Sequence, residues 1–98
     1  MVIGIIRETC LGRTVKELEK INVRSMTISV VKGIGEQVTL YKPYAIHNMI
    51  QIIVPDEKVE EVEDVILNCT HTGMAGDGIV AVSQIDYMIK IRSKERLQ

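Results

Sequence analysis

The chain has 98 residues, too few for two ordinary domains and enough for one. Twelve Lys and Arg against 13 Asp and Glu give a net charge of −1, and no basic run is interleaved with aromatics, which argues against nucleic acid as a partner. The core has to come from Ile and Val: 15 Ile and 12 Val stand against three Tyr and no Phe or Trp. β-Branched residues at that density favour strands over long helical bundles.

A single domain over residues 1–98 would bury only roughly 60–65% of its unfolded surface, so further copies of the chain are expected to cover apolar sheet surface. The apolar runs at 1–6 and 49–54 are far shorter than the ~20 residues that span a bilayer, and the first has neither a basic segment before it nor a small-residue cleavage pattern after it. The expectation is an unprocessed chain that is not membrane-inserted. Cys10 and Cys69 form no CxxC pair and no disulfide framework, which fits two buried thiols in a reducing cytoplasm.

In chain order, residues 2–8 read as a strand of nearly continuous apolar character, buried on both faces or central in a sheet. Leu11, Val15, Leu18 and Ile21 follow at helical spacing, with Thr14 and Glu17 in the arrangement of a capping box at the helix start. Asn22 closes that helix, and residues 26–32 return to strand chemistry before Gly33-Ile34-Gly35 breaks it. The second half repeats the order. Residues 45–54 form a strand, Pro55-Asp56 is a stop with a helix N-cap, and Val59, Val62, Val65, Ile66 and Cys69 make an apolar stripe.

Six acids and one Lys between 56 and 64 give that helix a local charge of −5, read as a solvated face with acids favouring its N-terminus. A linker at 70–78 leads to a last strand at 79–83, and residues 87–92 are expected to add a short edge segment. Strand, helix, strand, strand, helix, strand is the split βαβ order. The predicted fold is therefore α+β and ferredoxin-like, with both helices on one face of a four-stranded antiparallel sheet and the other face left for copies of itself.

Three features carry possible chemistry. Thr72-Gly73-Met74-Ala75-Gly76-Asp77-Gly78 has three glycines in six residues between a helix and a strand. Such a cluster either only turns the chain or leaves backbone N–H groups open to an anion such as phosphate. Val31-Lys32-Gly33-Ile34-Gly35-Glu36-Gln37 lacks the Gly-Lys-Ser/Thr ending of a Walker loop, and a strand rather than a helix follows it, so a wide connection and a ligand loop both stand. The tail carries Lys90, Arg92, Lys94 and Arg96, net +3 over residues 90–96, with Lys90 and Arg92 alternating toward one side if that stretch is a strand.

Together these segments resemble the PII signal-transduction proteins. The run from Thr27 to Gln37 is similar to their second strand and loop entrance, the glycine cluster to their signature loop, and Ile89-Lys90-Ile91-Arg92-Ser93-Lys94-Glu95 to their C-terminal segment. The resemblance implies a cytoplasmic, non-enzymatic homotrimer that senses a small anionic effector, with ATP, ADP or AMP as the candidate nucleotides, in clefts between subunits. It would regulate a transporter or an enzyme by contact. Carried onto this chain, Thr27, Gly33 and Gly35 would surround adenine and ribose, and Gln37 would contact the effector region. Gly76, Asp77 and Gly78 would offer N–H groups to phosphates, and Lys90 and Arg92 would approach from the neighbouring subunit. No obligatory cofactor and no metal are implied.

The departures are specific. The family places Lys directly after Gly-Asp-Gly, where this chain has Ile79; the lysine of the third strand falls near His47; and the first arginine of the tail is Lys90. Between Gln37 and Ala45 only seven residues replace a long partner-binding loop. A trimer that has lost its ligand and serves as an interaction module therefore stands as an alternative. A small metal-binding trimer is a further one, although His47, His71, Cys10 and Cys69 match no zinc spacing. Ser25, Ser29, Ser83 and Ser93 lack a nucleophile-elbow context, so no hydrolase is read here.

Overall fold

The computed structural model describes residues 1–34, 45–74 and 76–97. The predicted order holds. β1 (Val2–Ile6) leads through a single 3₁₀ turn (Glu8–Cys10) into α1 (Leu11–Lys20), then come β2 (Thr27–Gly33), β3 (Ala45–Ile52), α2 (Asp56–Thr70) and β4 (Gly78–Val82). The four strands pair antiparallel in the order β2-β3-β1-β4, which is the ferredoxin-like arrangement. Among the described residues no helix is long and apolar enough to cross a membrane.

Strand periodicity sorts the sheet into two faces. Val2, Ile6, Ile50 and Ile52 point toward the helices and meet Leu18, Val62 and Ile66, forming a core from which water is almost wholly excluded. Gly4 is part of this face because Ile66 occupies the space beside it: a Cβ there would lie 3.5 Å from Ile66 Cδ1. The opposite face carries Ile3, Ile5, Val31, Met49, Ile79 and Ala81 by register. β1 lies inside the sheet between β3 and β4, one of the two positions its apolar run suggests, but it is not equally buried on both faces. Its burial alternates, with Ile3 and Ile5 only half-covered.

Three local expectations are corrected. Thr14 does not cap α1, because the 3₁₀ turn carries the chain into the helix at Leu11, three residues earlier. Thr14 is fully buried in the first turn, and its Oγ1 donates 2.8 Å back to the carbonyl of Cys10. Asp56 is the first helical residue of α2 rather than its N-cap. Pro55 takes the cap position with extended backbone and accepts from Lys58 N at 2.9 Å, so Asp56 acts only as an acid in the first turn.

Residues 87–92, finally, do not extend the main sheet. β5 (Met88–Lys90) pairs with β6 (Glu95–Leu97) in a separate hairpin. The chain reverses at residues 91–94, where Lys94 adopts φ 59° and its N–H reaches Lys90 O at 2.7 Å. Arg92 therefore lies in the turn, off the strand that would have aligned it with Lys90. Arg96 stacks over Tyr87, 4.4 Å from the ring centre, across this hairpin.

Candidate functional site

The glycine loop is fixed by the strand it enters. Gly78 begins β4 opposite Ile6 with φ 104°, and a Cβ there would lie 1.9 Å from the carbonyl oxygen of Ile5. Only glycine lets the loop pass so close to β1. Gly73 and Gly76 also have positive φ, 83° and 93°, which makes the turn between α2 and β4 possible.

Inside the loop the carboxylate of Asp77 acts as an anion supplied by the chain itself. Its Oδ2 accepts from the N–H groups of Thr72 and Gly73, both at 2.8 Å, and its Oδ1 accepts a short hydrogen bond from the Thr72 hydroxyl. Arg7 closes the other side with an ion pair at 3.0 Å, and His71 Nδ1 stands 3.8 Å away. The Thr72 hydroxyl above all, then the Thr72 and Gly73 N–H groups and the Arg7 charge, hold the Asp77 carboxyl down to about 2 against the opposing effect of partial burial. At neutral pH this loop carries a fixed negative charge beside a fixed positive one.

Arg7, His47 and Asp77 stand one residue beyond the last rung that joins β1, β3 and β4. The carbonyl of Gly76 links them: Arg7 Nε donates to it at 3.0 Å and His47 Nε2 lies 3.3 Å from it. His47 is consequently buried despite its position on the face opposite the helices. Gly33 ends β2 at the same end of the sheet, opposite Ala45. Two strands separate β2 from β4, and the rung of Gly78 meets β2 at Val30, so Gly33 lies about 14 Å from Gly78 across the strands and roughly 10 Å further along them. Thr27 begins β2 at the other end, six residues or roughly 20 Å along the strand.

A model of the family described as "Nitrogen regulatory protein P-II" matches residues 1–95. The chain belongs to the PII family. Among PII relatives, nitrogen regulatory protein P-II 2 of Methanothermobacter thermautotrophicus is 30% identical over 103 residues, covering 96% of this chain and 90% of its own. GlnK of Escherichia coli K12 is 29% identical over 104 residues, covering 97% and 93%. In three dimensions this PII chain is similar to Arabidopsis thaliana PII bound to citrate, with a TM-score of 0.85 and 29% identity over 97% of this chain and 84% of the plant chain.

For this PII protein the nine residues singled out from the sequence fall into separate groups. Gly76, Asp77 and Gly78 share the loop, and Gly33 lies at the same sheet end; Thr27 does not. Gly35 and Gln37 lie outside the described residues. Lys90 and Arg92 are exposed on the hairpin, and no hydrogen bond or ion pair among the described residues joins them to the loop. Ser83 and Met1 bond to each other at the end of the sheet opposite the loop. The hairpin follows from there, and Tyr87, Met88 and Leu97 help line a cleft of about 550 Å³ with Met1, Val54 and Pro55.

Sequence reading missed Arg7. The signal was a lone cation directly after an apolar strand, and its meaning depended on β4 starting beside the end of β1. Among the described residues no cluster of three His, Cys, Asp or Glu could hold a metal.

Proposed function

We propose that this PII protein is a single-domain regulatory homotrimer that binds a small anionic effector, an adenine nucleotide, in clefts between subunits. It controls a transporter or enzyme by contact and performs no chemistry itself. The observation that carries this reading is the separation, within one chain, of the two segments proposed to bind the anion. The glycine loop lies at one end of the sheet, and the hairpin bearing Lys90 and Arg92 departs from the other. A second copy can bring its basic tail to the loop of the first, where backbone donors and an Arg fork suit a phosphate. The plant relative bound to citrate, a small polyanion, agrees with this ligand class.

Titration calorimetry against ATP, ADP and AMP, with sedimentation to measure assembly, tests the reading. Heat with at least one nucleotide on a trimeric species is expected. A trimer that gives no heat with any of them at millimolar ligand overturns the nucleotide clause.

One observation favours a second reading, a trimer that works as an interaction module without a ligand. The Thr72 and Gly73 N–H groups are already committed to Asp77, and Ile79 replaces the cation of the family. Capture of the same partner from source cells with and without added nucleotide would support it.

A further inference from the structure

We infer that Arg7 is the positioning residue of the glycine loop, clamping the Gly76–Asp77 peptide so that the loop is held in one shape for the ligand's phosphates. The phosphate clause rests on the proposed nucleotide function; the clamp rests on geometry alone. Arg7 follows the buried Ile6 at the end of β1, so its backbone is anchored in the sheet. Its Nε donates to the Gly76 carbonyl at 3.0 Å, while its Nη2 reaches Asp77 Oδ1, also at 3.0 Å. One planar guanidinium therefore grips the carbonyl of residue 76 and the side chain of residue 77 together, which a point-charge ammonium cannot do with fixed geometry.

The loop needs such a grip. Gly76, at φ 93°, has no side chain to resist rotation of the peptide that follows it. If that peptide flipped, its carbonyl and N–H would exchange directions, and the carbonyl would leave Arg7 and His47 while the N–H left Met74 O. Arg7, with His47 at 3.3 Å, holds the carbonyl, which leaves the Asp77 N–H turned toward Met74 O at 3.4 Å. The effect spreads through Asp77. Its carboxylate, steadied by Arg7, gathers the N–H groups of Thr72 and Gly73 five and four residues away, so one side chain just past the end of β1 orders both ends of the turn. With Ile79 in place of a lysine after Gly-Asp-Gly, β4 supplies no cation at this point.

The test compares full-length Arg7→Lys and Arg7→Met with the parent protein. Hydrogen exchange of the Thr72 and Gly73 amides is read by NMR, and the affinities for ADP and for adenosine are read by calorimetry. Loss of one or two hydrogen bonds to charged groups leads to exchange about tenfold faster at both amides, and to ADP affinity weaker by about tenfold, in both variants. Adenosine, which has no phosphate, should bind each variant as it binds the parent.

Full ADP affinity in Arg7→Lys would show that charge alone suffices and would overturn the clamp as the cause. A parallel loss of adenosine binding would overturn the positioning role in favour of general damage. Unchanged exchange in the variants would overturn the clamp itself. If the parent binds neither ligand, the nucleotide reading falls and exchange alone decides: acceleration in Arg7→Lys still supports the clamp, and no acceleration refutes it. Arg7→Lys keeps the test open should Arg7→Met fail to fold.

Discussion

Replacing Gly78 by alanine puts the loop and the sheet in direct conflict. Alanine at φ 104° is strained by about 1–3 kcal/mol. Its Cβ would also sit 1.9 Å from the Ile5 carbonyl oxygen, so β1 and β4 have to part locally, and a buried acceptor left without its partner adds about 1–3 kcal/mol. Together the two effects come to about 2–6 kcal/mol. In a domain of this size, that lowers the melting temperature by roughly 10–45 °C at fixed protein concentration.

Two other glycines separate the contributions. Gly73 has φ 83° but nothing within 4 Å of a Cβ, so Gly73→Ala carries the strain alone, about 1–2 kcal/mol. Gly12 lies in α1 with open space around it, and Gly12→Ala stabilises by up to about 1 kcal/mol through helix propensity. Thermal melting of the three variants by circular dichroism should rank them Gly12, Gly73, Gly78 in falling stability. If Gly78→Ala melted within a few degrees of Gly73→Ala, close packing of the loop on Ile5 would not be what demands glycine there.

Further outcomes follow from the same contacts. Because the Thr72 hydroxyl is the largest cause of the depressed Asp77 value, Thr72→Val should raise that carboxyl from about 2 toward 3.8 in a carboxyl-detected NMR titration, and an unmoved midpoint would refute the assignment. Asp77 titrates lower in the folded than in the unfolded chain. Its stabilisation is therefore complete above about pH 4 and disappears as pH falls toward 2, so acid unfolding of Asp77→Asn should be less steep in that window than that of the parent. Ile66→Ala empties the space beside Gly4 and should lower urea stability by about 2–5 kcal/mol. Ile79→Lys, at a side chain 59% exposed directly after Gly78, should tighten ATP binding by about tenfold through one charge-assisted contact, and unchanged affinity would place the phosphates elsewhere.

What could be read from the sequence depended on how local its cause was. The stripe of Val62 and Ile66 and the run from Val2 to Ile6 declare a helix and a strand because periodicity and burial arise within the segment. Six elements in that order leave few topologies, so the sheet order followed. Thr14 misled because its cap pattern is local, whereas the 3₁₀ turn that starts the helix earlier has no strong residue signature. The 87–92 segment reads as extended, but its partner, Glu95–Leu97 rather than the main sheet, is not declared by the segment itself. The glycine loop was legible as a loop. That its donors would be met by its own Asp77, and that Arg7 would hold it, required knowing which strand ends are neighbours.

The placement of the loop at one end of the sheet and the basic hairpin at the other has a thermodynamic consequence. A ligand that needs both must bind two copies at once, so ligation and assembly become linked equilibria. Nucleotide would then hold subunits together, subunit excess would raise apparent affinity, and dilution below the assembly constant would make the ligand dissociate even at constant free concentration. Such a sensor would report on its own abundance as well as on its effector.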